Sequence, residues 1–322
     1  MSDKLARTIQ RFQTKIDSGS FYEAHQTIRT ITNRYVKAKQ YTEARDLLYQ
    51  GATILTKNKE YASASDLINY LIQVYDEEEL KITDKDAKYK LIELISNLPN
   101  DDPLLNDLAN ASISWSQKSS VCEKFGDSDL HHLFGVKLLS LLENDADNNG
   151  VAARDAEQKS KLFAIAELHL VLGTFESVPI YVSYLAKTAQ INKDIDPGVF
   201  LSRAVINYAY LKNIKFVKEA QTLFFEKIKG YVGKEGEVIK SVEYFENYPL
   251  LNFIQLLVQT IQKEPLTNGQ KFLKLYDHYK LLLKQREILA PVEYLGKLYF
   301  NLNLGSGQGG NMLANLMGGL FK

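Results

Sequence analysis

The residues of this chain that could do chemistry are few: five histidines (His25, His131, His132, His169 and His278), the single Cys122, and the glycine string GSGQGG at Gly305–Gly310. Two histidines four residues apart on a helix would offer a metal two ligands on one face, but none have that spacing and no HExxH string occurs. In DLHHLFG, His131 and His132 read as part of a helix that starts after Asp127 or Asp129, with both rings at its surface or edge. One cysteine excludes an internal disulfide framework and a four-cysteine zinc site, and it reads as a buried structural thiol. GSGQGG fits the dinucleotide-binding pattern, yet no strand precedes it and only twelve residues follow. No strand–helix–strand unit can surround it, and it reads as a flexible linker. There is no phosphate-binding loop, no G-x-S-x-G elbow and no carboxylate pair beyond ordinary helix-surface charge. The chain is not expected to be an enzyme, nor to hold a metal or a cofactor.

What the sequence does repeat is a helix opening. SFYEAHQTIRTI is echoed by QYTEARDLL and EYASASDLI; Tyr22, Tyr41 and Tyr61 open the three stretches, and Ala24, Ala44 and Ala64 recur at a spacing of about twenty. That period leaves roughly sixteen residues of helix, about 24 Å, and a short turn. Ala44, Leu47, Leu48, Ala52 and Leu55 fall on one apolar stripe, as do Leu67, Leu71, Val74 and Tyr75. The small alanine lets a neighbouring helix come close, so the opening is a stacking signal. A looser copy, LKNIKFVKEAQTLF at Leu211–Phe224, extends the pattern into the second half, and Pro103, Pro197, Pro249, Pro265 and Pro291 sit where helices would start or stop. The fold class expected is all-α: a right-handed helical-repeat solenoid of tetratricopeptide-like stacked helix pairs. Single repeats cannot be stable alone, because burying one leucine is worth about 1.5–3 kcal/mol while ordering costs about 1–2 kcal/mol per residue.

Two segments interrupt that pattern. GYVGKEGEVIKSVEYFENYP, Gly230–Pro249, combines three glycines with Val238, Ile239, Val242, Tyr244 and Phe245, and reads as a β-hairpin insertion near 231–248, with a plain long loop as the alternative. ENDADNNGVAARDAEQ, 143–158, reads as a polar loop between two blocks of helices. The expected organisation is helical repeats over 1–145, helical repeats with the hairpin over 152–303, and a tail over 304–322. In the tail, Met312, Leu313, Leu316, Met317 and Leu320 make a short apolar face, either disordered or a weak docking helix.

Charge narrows the partners. Lys plus Arg total 39 and Asp plus Glu total 39, so no excess points to nucleic acid or an anionic membrane. Locally the balance breaks: 1–59 holds eleven basic and five acidic residues, whereas 76–107 holds ten acidic and four basic. MSDKLARTIQ has no apolar core of signal-peptide length, and LLNFIQLLV at Leu250–Val258 is about half a membrane span. A chain of the cytosol, without direct membrane insertion, is expected. The polar residues His25, Gln26, Arg29, Arg34, Arg45, Asp46 and Asp66 are either a solvated helix face or a protein-binding edge of the solenoid.

YEAHQTIRTITNRYV, YTEARDLLYQGA and SASDLINYLIQVY, followed by FGDSDLHHLFGVKLL, AELHLVLGT and YFENYPLLNFIQLLV, resemble the Golgi-to-ER traffic protein 4 family over most of the chain. The likeness departs at the glycine-rich tail and near Asn148. The resemblance implies a cytosolic α-solenoid without catalytic activity, acting in delivery of tail-anchored membrane proteins to the endoplasmic reticulum. It implies that the N-terminal half docks on the dimeric targeting ATPase. The C-terminal half would hold a ubiquitin-like-domain partner, Golgi-to-ER traffic protein 5, and through it a tetratricopeptide co-chaperone. On this resemblance Tyr22, His25, Gln26, Arg29, Arg34, Tyr35, Arg45, Asp46 and Asp66 are candidates for the ATPase-binding face. Val242, Tyr244, Phe245, Leu250, Leu251 and Phe253 are candidates for the ubiquitin-like partner, or else complete the core. Without the resemblance, the residues alone support a generic helical-repeat interaction scaffold of some other cytosolic assembly.

Overall fold

A computed structural model describes residues 3–144, 154–230, 237–239, 242–262 and 265–304. Residues 145–153 of the polar stretch, most of the loop before the hairpin and the tail from 305 onward lie outside the described residues. The architecture is an all-α helical repeat with one hairpin, and the chain forms two compact units, Met1–Thr174 and Phe175–Lys322.

The first unit holds α1 (Asp3–Asp17), α2 (Phe21–Lys37), α3 (Tyr41–Lys57), α4 (Tyr61–Glu77), α5 (Lys85–Ser96), α6 (Leu105–Gln117), α7 (Ser128–Asn144) and α8 (Ala156–Leu172). α2, α3 and α4 are each 17 residues long and start twenty residues apart. Ala24, Ala44 and Ala64 are all fully buried where α3 packs against both α2 and α4, as a close-approach position requires. The register corrects one tyrosine: Phe21, not Tyr22, is equivalent to Tyr41 and Tyr61, and Tyr22 is 75% exposed.

The turns repeat as strictly as the helices. Gly19, Lys39, Lys59 and Glu79, each twenty residues from the next, have φ of 74°, 56°, 63° and 59°, the left-handed conformation that ends a helix. At each one two hydrogen bonds close the last turn; after α2 the Lys39 N–H donates to the Val36 carbonyl and the Gln40 N–H to the Tyr35 carbonyl, both at 2.9 Å. Only the first of the four is glycine, so composition gave no sign of the pattern.

In the stretch 143–158, composition suggested a boundary, but α7 and α8 on either side pack on each other within the first unit, and the division falls after Thr174. α8 starts with a reciprocal cap in which Asp155 accepts from the Gln158 N–H and Gln158 accepts from the Asp155 N–H.

The second unit holds α9 (Ser177–Ile191), α10 (Gly198–Tyr210), α11 (Ile214–Ile228), β1 (Glu237–Ile239), β2 (Val242–Tyr244), α12 (Pro249–Ile261), α13 (Pro265–Gln285) and α14 (Leu289–Phe300). α11, the looser copy, follows the same type of turn, with Lys212 at φ 56° and Ala220 fully buried. Pro249 and Pro265 open α12 and α13, while Pro291 lies in the first turn of α14, where a missing N–H costs nothing. β1 and β2 pair antiparallel, Val238 opposite Glu243, so the expected hairpin is present.

Candidate functional site

On α2, His25 and Gln26 each lie three or four residues from both Tyr22 and Arg29, so the four share one stripe. Ala24, Ile28 and Tyr35 face the opposite way into the core. Tyr35 is 5% exposed, so it supports this face from beneath instead of forming it, and Arg34, exposed, lies off the stripe toward the end of the helix.

The structure brings His25, Arg29 and Asp66 together across 37 to 41 residues of sequence. Arg29 Nη1 donates to Asp66 Oδ1 at 2.5 Å and also contacts Oδ2, while His25 Nε2 lies 2.7 Å from Oδ2. The guanidinium also stands 5.4 Å from the centre of the Tyr70 ring. Partial burial pushes the Asp66 carboxyl up, but the hydrogen bonds and charges of Arg29 and His25 together outweigh it and hold the group below the ordinary carboxylate range. This cluster presents a preset pattern of donors beside the exposed Tyr22 and Gln26. It has no nucleophile paired with a base, and among the described residues no group of three His, Cys, Asp or Glu side chains is placed to hold a metal.

Arg45 and Asp46 belong to a neighbouring set. Arg45 Nε pairs with Glu78 at 2.9 Å, and Asp46 lies 3.5 Å from Lys90, which binds Asp86 more closely at 2.9 Å. They tie α3 to the end of α4 and to α5.

The second candidate region is divided by burial. Val242 is half-buried and Tyr244 is 47% exposed on β2, whereas Phe245, Leu250, Leu251 and Phe253 are all buried. The reason is that α12 packs against α10, α13 and β2, so PLLNFIQLLV is the central helix of its unit and not a free apolar face.

Sequence reasoning missed the polar residues of this helix. Asn252 accepts from the Phe245 N–H at 2.9 Å and donates to the Phe245 carbonyl at 2.7 Å. One turn later Gln255 does the same for Glu243, at 3.2 and 2.8 Å. Two amide side chains thus take the place of a third strand along the outer edge of β2. Their signal was two amides three residues apart in an otherwise apolar helix. At the start of α12 the buried Asp196 accepts from the Leu250 and Leu251 N–H groups and from that of Gly198, joining the first turns of α10 and α12. Burial pushes its carboxyl above the usual range against these three donors.

His131 was misplaced at sequence level, whereas His132 is half-buried at the edge of α7. His131 is 3% exposed, and its Nδ1 lies 2.9 Å from Nδ1 of the buried His169, while its Nε2 lies 2.8 Å from the Phe125 carbonyl oxygen. A carbonyl only accepts, so Nε2 of His131 carries the proton, its Nδ1 is bare, and His169 must donate from Nδ1. Asp127 is the cap that starts α7, accepting from the Asp129 and Leu130 N–H groups. Cys122 is half-buried, not buried, and burial, with Asp127 nearby, pushes its thiol up.

The family model described as Golgi to ER traffic protein 4 matches residues 38–321, which includes the tail where the sequence likeness was expected to stop. Golgi to ER traffic protein 4 of Aspergillus fumigatus is 31% identical, covering 100% of this chain and 91% of that protein. Its namesake in Schizosaccharomyces pombe is 28% identical over 94% of this chain and 91% of that protein. The crystal structure of C. therm. Get4 superposes with a TM-score of 0.79 at 24% identity, over 99% of this chain and 96% of the other, which shows a common α-helical solenoid fold. No helix among the described residues is long and apolar enough to cross a membrane.

Proposed function

We infer the function from one premise: the chain belongs to the Golgi to ER traffic protein 4 family. It is a non-enzymatic adaptor of the cytosol that serves delivery of tail-anchored membrane proteins to the endoplasmic reticulum. Its N-terminal helices dock on the dimeric targeting ATPase. The hairpin platform on α12 holds the ubiquitin-like-domain partner, Golgi-to-ER traffic protein 5, and through it the tetratricopeptide co-chaperone.

The observation that carries this reading is the Arg29–His25–Asp66 cluster beside exposed Tyr22 and Gln26. Charges locked to each other before docking lose little freedom on binding, and their polarity selects orientation and speeds approach more than it adds affinity. For the ubiquitin-like partner, Val242 and Tyr244 remain accessible as contacts, while Phe245, Leu250, Leu251 and Phe253 support them from the core.

The test exchanges the two charges. Arg29→Asp with Asp66→Arg keeps an ion pair inside the protein but reverses the polarity it shows. Binding to the purified ATPase should weaken at least tenfold, about 1.4 kcal/mol, and more at low than at high salt, with helicity unchanged. If the folded wild type does not bind the ATPase, the adaptor reading loses its support and the generic scaffold replaces it. Regulation of the ATPase further requires affinities that differ between its nucleotide states.

A further inference from the structure

Two grooves flank α12 in the second unit, and each lacks a different half of a hydrogen bond. The larger, about 460 Å³, lies between α12 and α13. Leu256 and Tyr279 give it apolar walls, Lys271 and Lys274 stand exposed at its rim, and the described residues of its lining include no carboxylate. Asn268, also in this lining, is 1% exposed, and its Nδ2 has no hydrogen-bond partner. The smaller groove, about 340 Å³, lies between α11, β2 and α12. Phe225 gives it an apolar wall, and Glu226 and Glu243 stand in its lining against Lys229. Gln221, in the same lining, has a buried Oε1 without a hydrogen-bond partner. Buried amide atoms left unpaired are costly enough to be rare. One groove therefore calls for an acceptor and negative charge, the other for a donor and positive charge.

Both demands lie within reach of one chain. Gln255 lines the smaller groove and the next residue of α12, Leu256, lines the larger. A helix is about 10–12 Å across, which about four extended residues span. Tyr244, 47% exposed, stands between the two grooves. It follows Glu243 of the smaller one and lies beside Tyr279 of the larger, whose hydroxyl is pushed up by burial, with Tyr244 alongside.

We propose that the ubiquitin-like-domain partner is held here by charge polarity as well as by apolar contact. A segment of it crosses Tyr244 with a carboxylate and a carbonyl oxygen in the groove of Lys271, Lys274 and Asn268, and with a cationic side chain in the groove of Glu226 and Gln221. The polarity admits the segment in one direction only, since reversing it would bring like charges together at both ends. This inference rests on the adaptor reading and adds to it the chemistry and the direction of the partner's segment.

Binding of the purified ubiquitin-like-domain partner to the full chain tests it, at low and at high salt. Lys271→Glu plus Lys274→Glu should weaken binding at least tenfold at low salt, and Glu226→Lys several-fold, both less at high salt. These side chains are exposed, so the helicity and thermal unfolding of the free protein should not change. Asn268→Leu separates binding from folding. It removes an unpaired N–H, so the free protein should be at least as stable as wild type, yet the complex should weaken several-fold. If wild type binds and Tyr244→Ala weakens the complex while neither charge reversal does, the polarity is overturned and the adaptor reading stands. Asn268→Leu that lowers stability and leaves binding unchanged also overturns it. If the folded wild type does not bind the partner, both fall.

Discussion

The histidine pair in the first unit makes the sharpest prediction, because its protons are fixed by geometry. With Nε2 of His131 donating to Phe125 and Nδ1 of His169 donating to Nδ1 of His131, both rings are neutral; a second proton on His131 would break the bond from His169, and one on His169 would charge its buried ring at Nε2. Burial, with His131 alongside, pushes His169 down from 6.5 to about 3, and burial pushes His131 down as well. In the unfolded chain each ring binds a proton near pH 6.5, which the native state refuses. Stability is therefore present in full above pH 6.5 and is lost as pH falls toward about 3. At pH 5 the difference is 1.5 units below the unfolded value, which at about 1.36 kcal/mol per unit gives about 2 kcal/mol for His169 alone. The comparison is His169→Asn, whose amide nitrogen stands where Nδ1 does and still donates to His131 but does not titrate. Trp115, the single tryptophan, is 1% exposed in the same unit and reports its unfolding by fluorescence. Urea titrations at pH 7.5 and pH 5.0 should show the wild type losing about 2 kcal/mol more than the variant, since carboxylates that titrate in both cancel. Equal losses would refute the neutral pair, whatever the two proteins' stabilities at pH 7.5.

Lys39→Gly and Lys59→Gly should each stabilise the first unit by about 0.5–1 kcal/mol, since the left-handed turn strains a side chain more than glycine's extra freedom costs; a lower urea midpoint would contradict the turn geometry. Asn252→Leu leaves the Phe245 N–H and carbonyl unpaired and should cost about 1–3 kcal/mol, with faster exchange at Val242–Tyr244; unchanged hairpin protection would show that the amide does not hold the strand. In Gly198→Ala the new Cβ would fall 2.3 Å from the Leu251 nitrogen, so α10 and α12 must part and the second unit should lose about 1–3 kcal/mol in thermal unfolding; no loss would mean that the close approach is absent in solution.

The repeat was legible because its cause is local. Ala24, Ala44 and Ala64 mark the places where helices touch, and a small residue at a fixed period needs no tertiary knowledge to be seen. The turns with the same period were not, although they are as regular, because Lys39, Lys59 and Glu79 adopt a conformation that glycine usually signals. The polar face of α2 was legible by residue type, but its organisation was not: Asp66 meets Arg29 and His25 only through the stacking of α2 and α4, and nothing in the string SASDLINYL names that partner.

Apolar candidates were ambiguous for a more general reason. A residue that waits for a partner and a residue that fills the core have the same composition, so Leu250, Leu251 and Phe253 read equally well as either. What separates the two cases is the polar residues among them. Asn252 and Gln255 are buried in a helix whose other core-facing residues are apolar, and a buried amide is tolerated only if its hydrogen bonds are made. Theirs are made to Glu243 and Phe245, which means that the hairpin is part of the same packed unit and that Val242 and Tyr244 are held in place before any partner arrives.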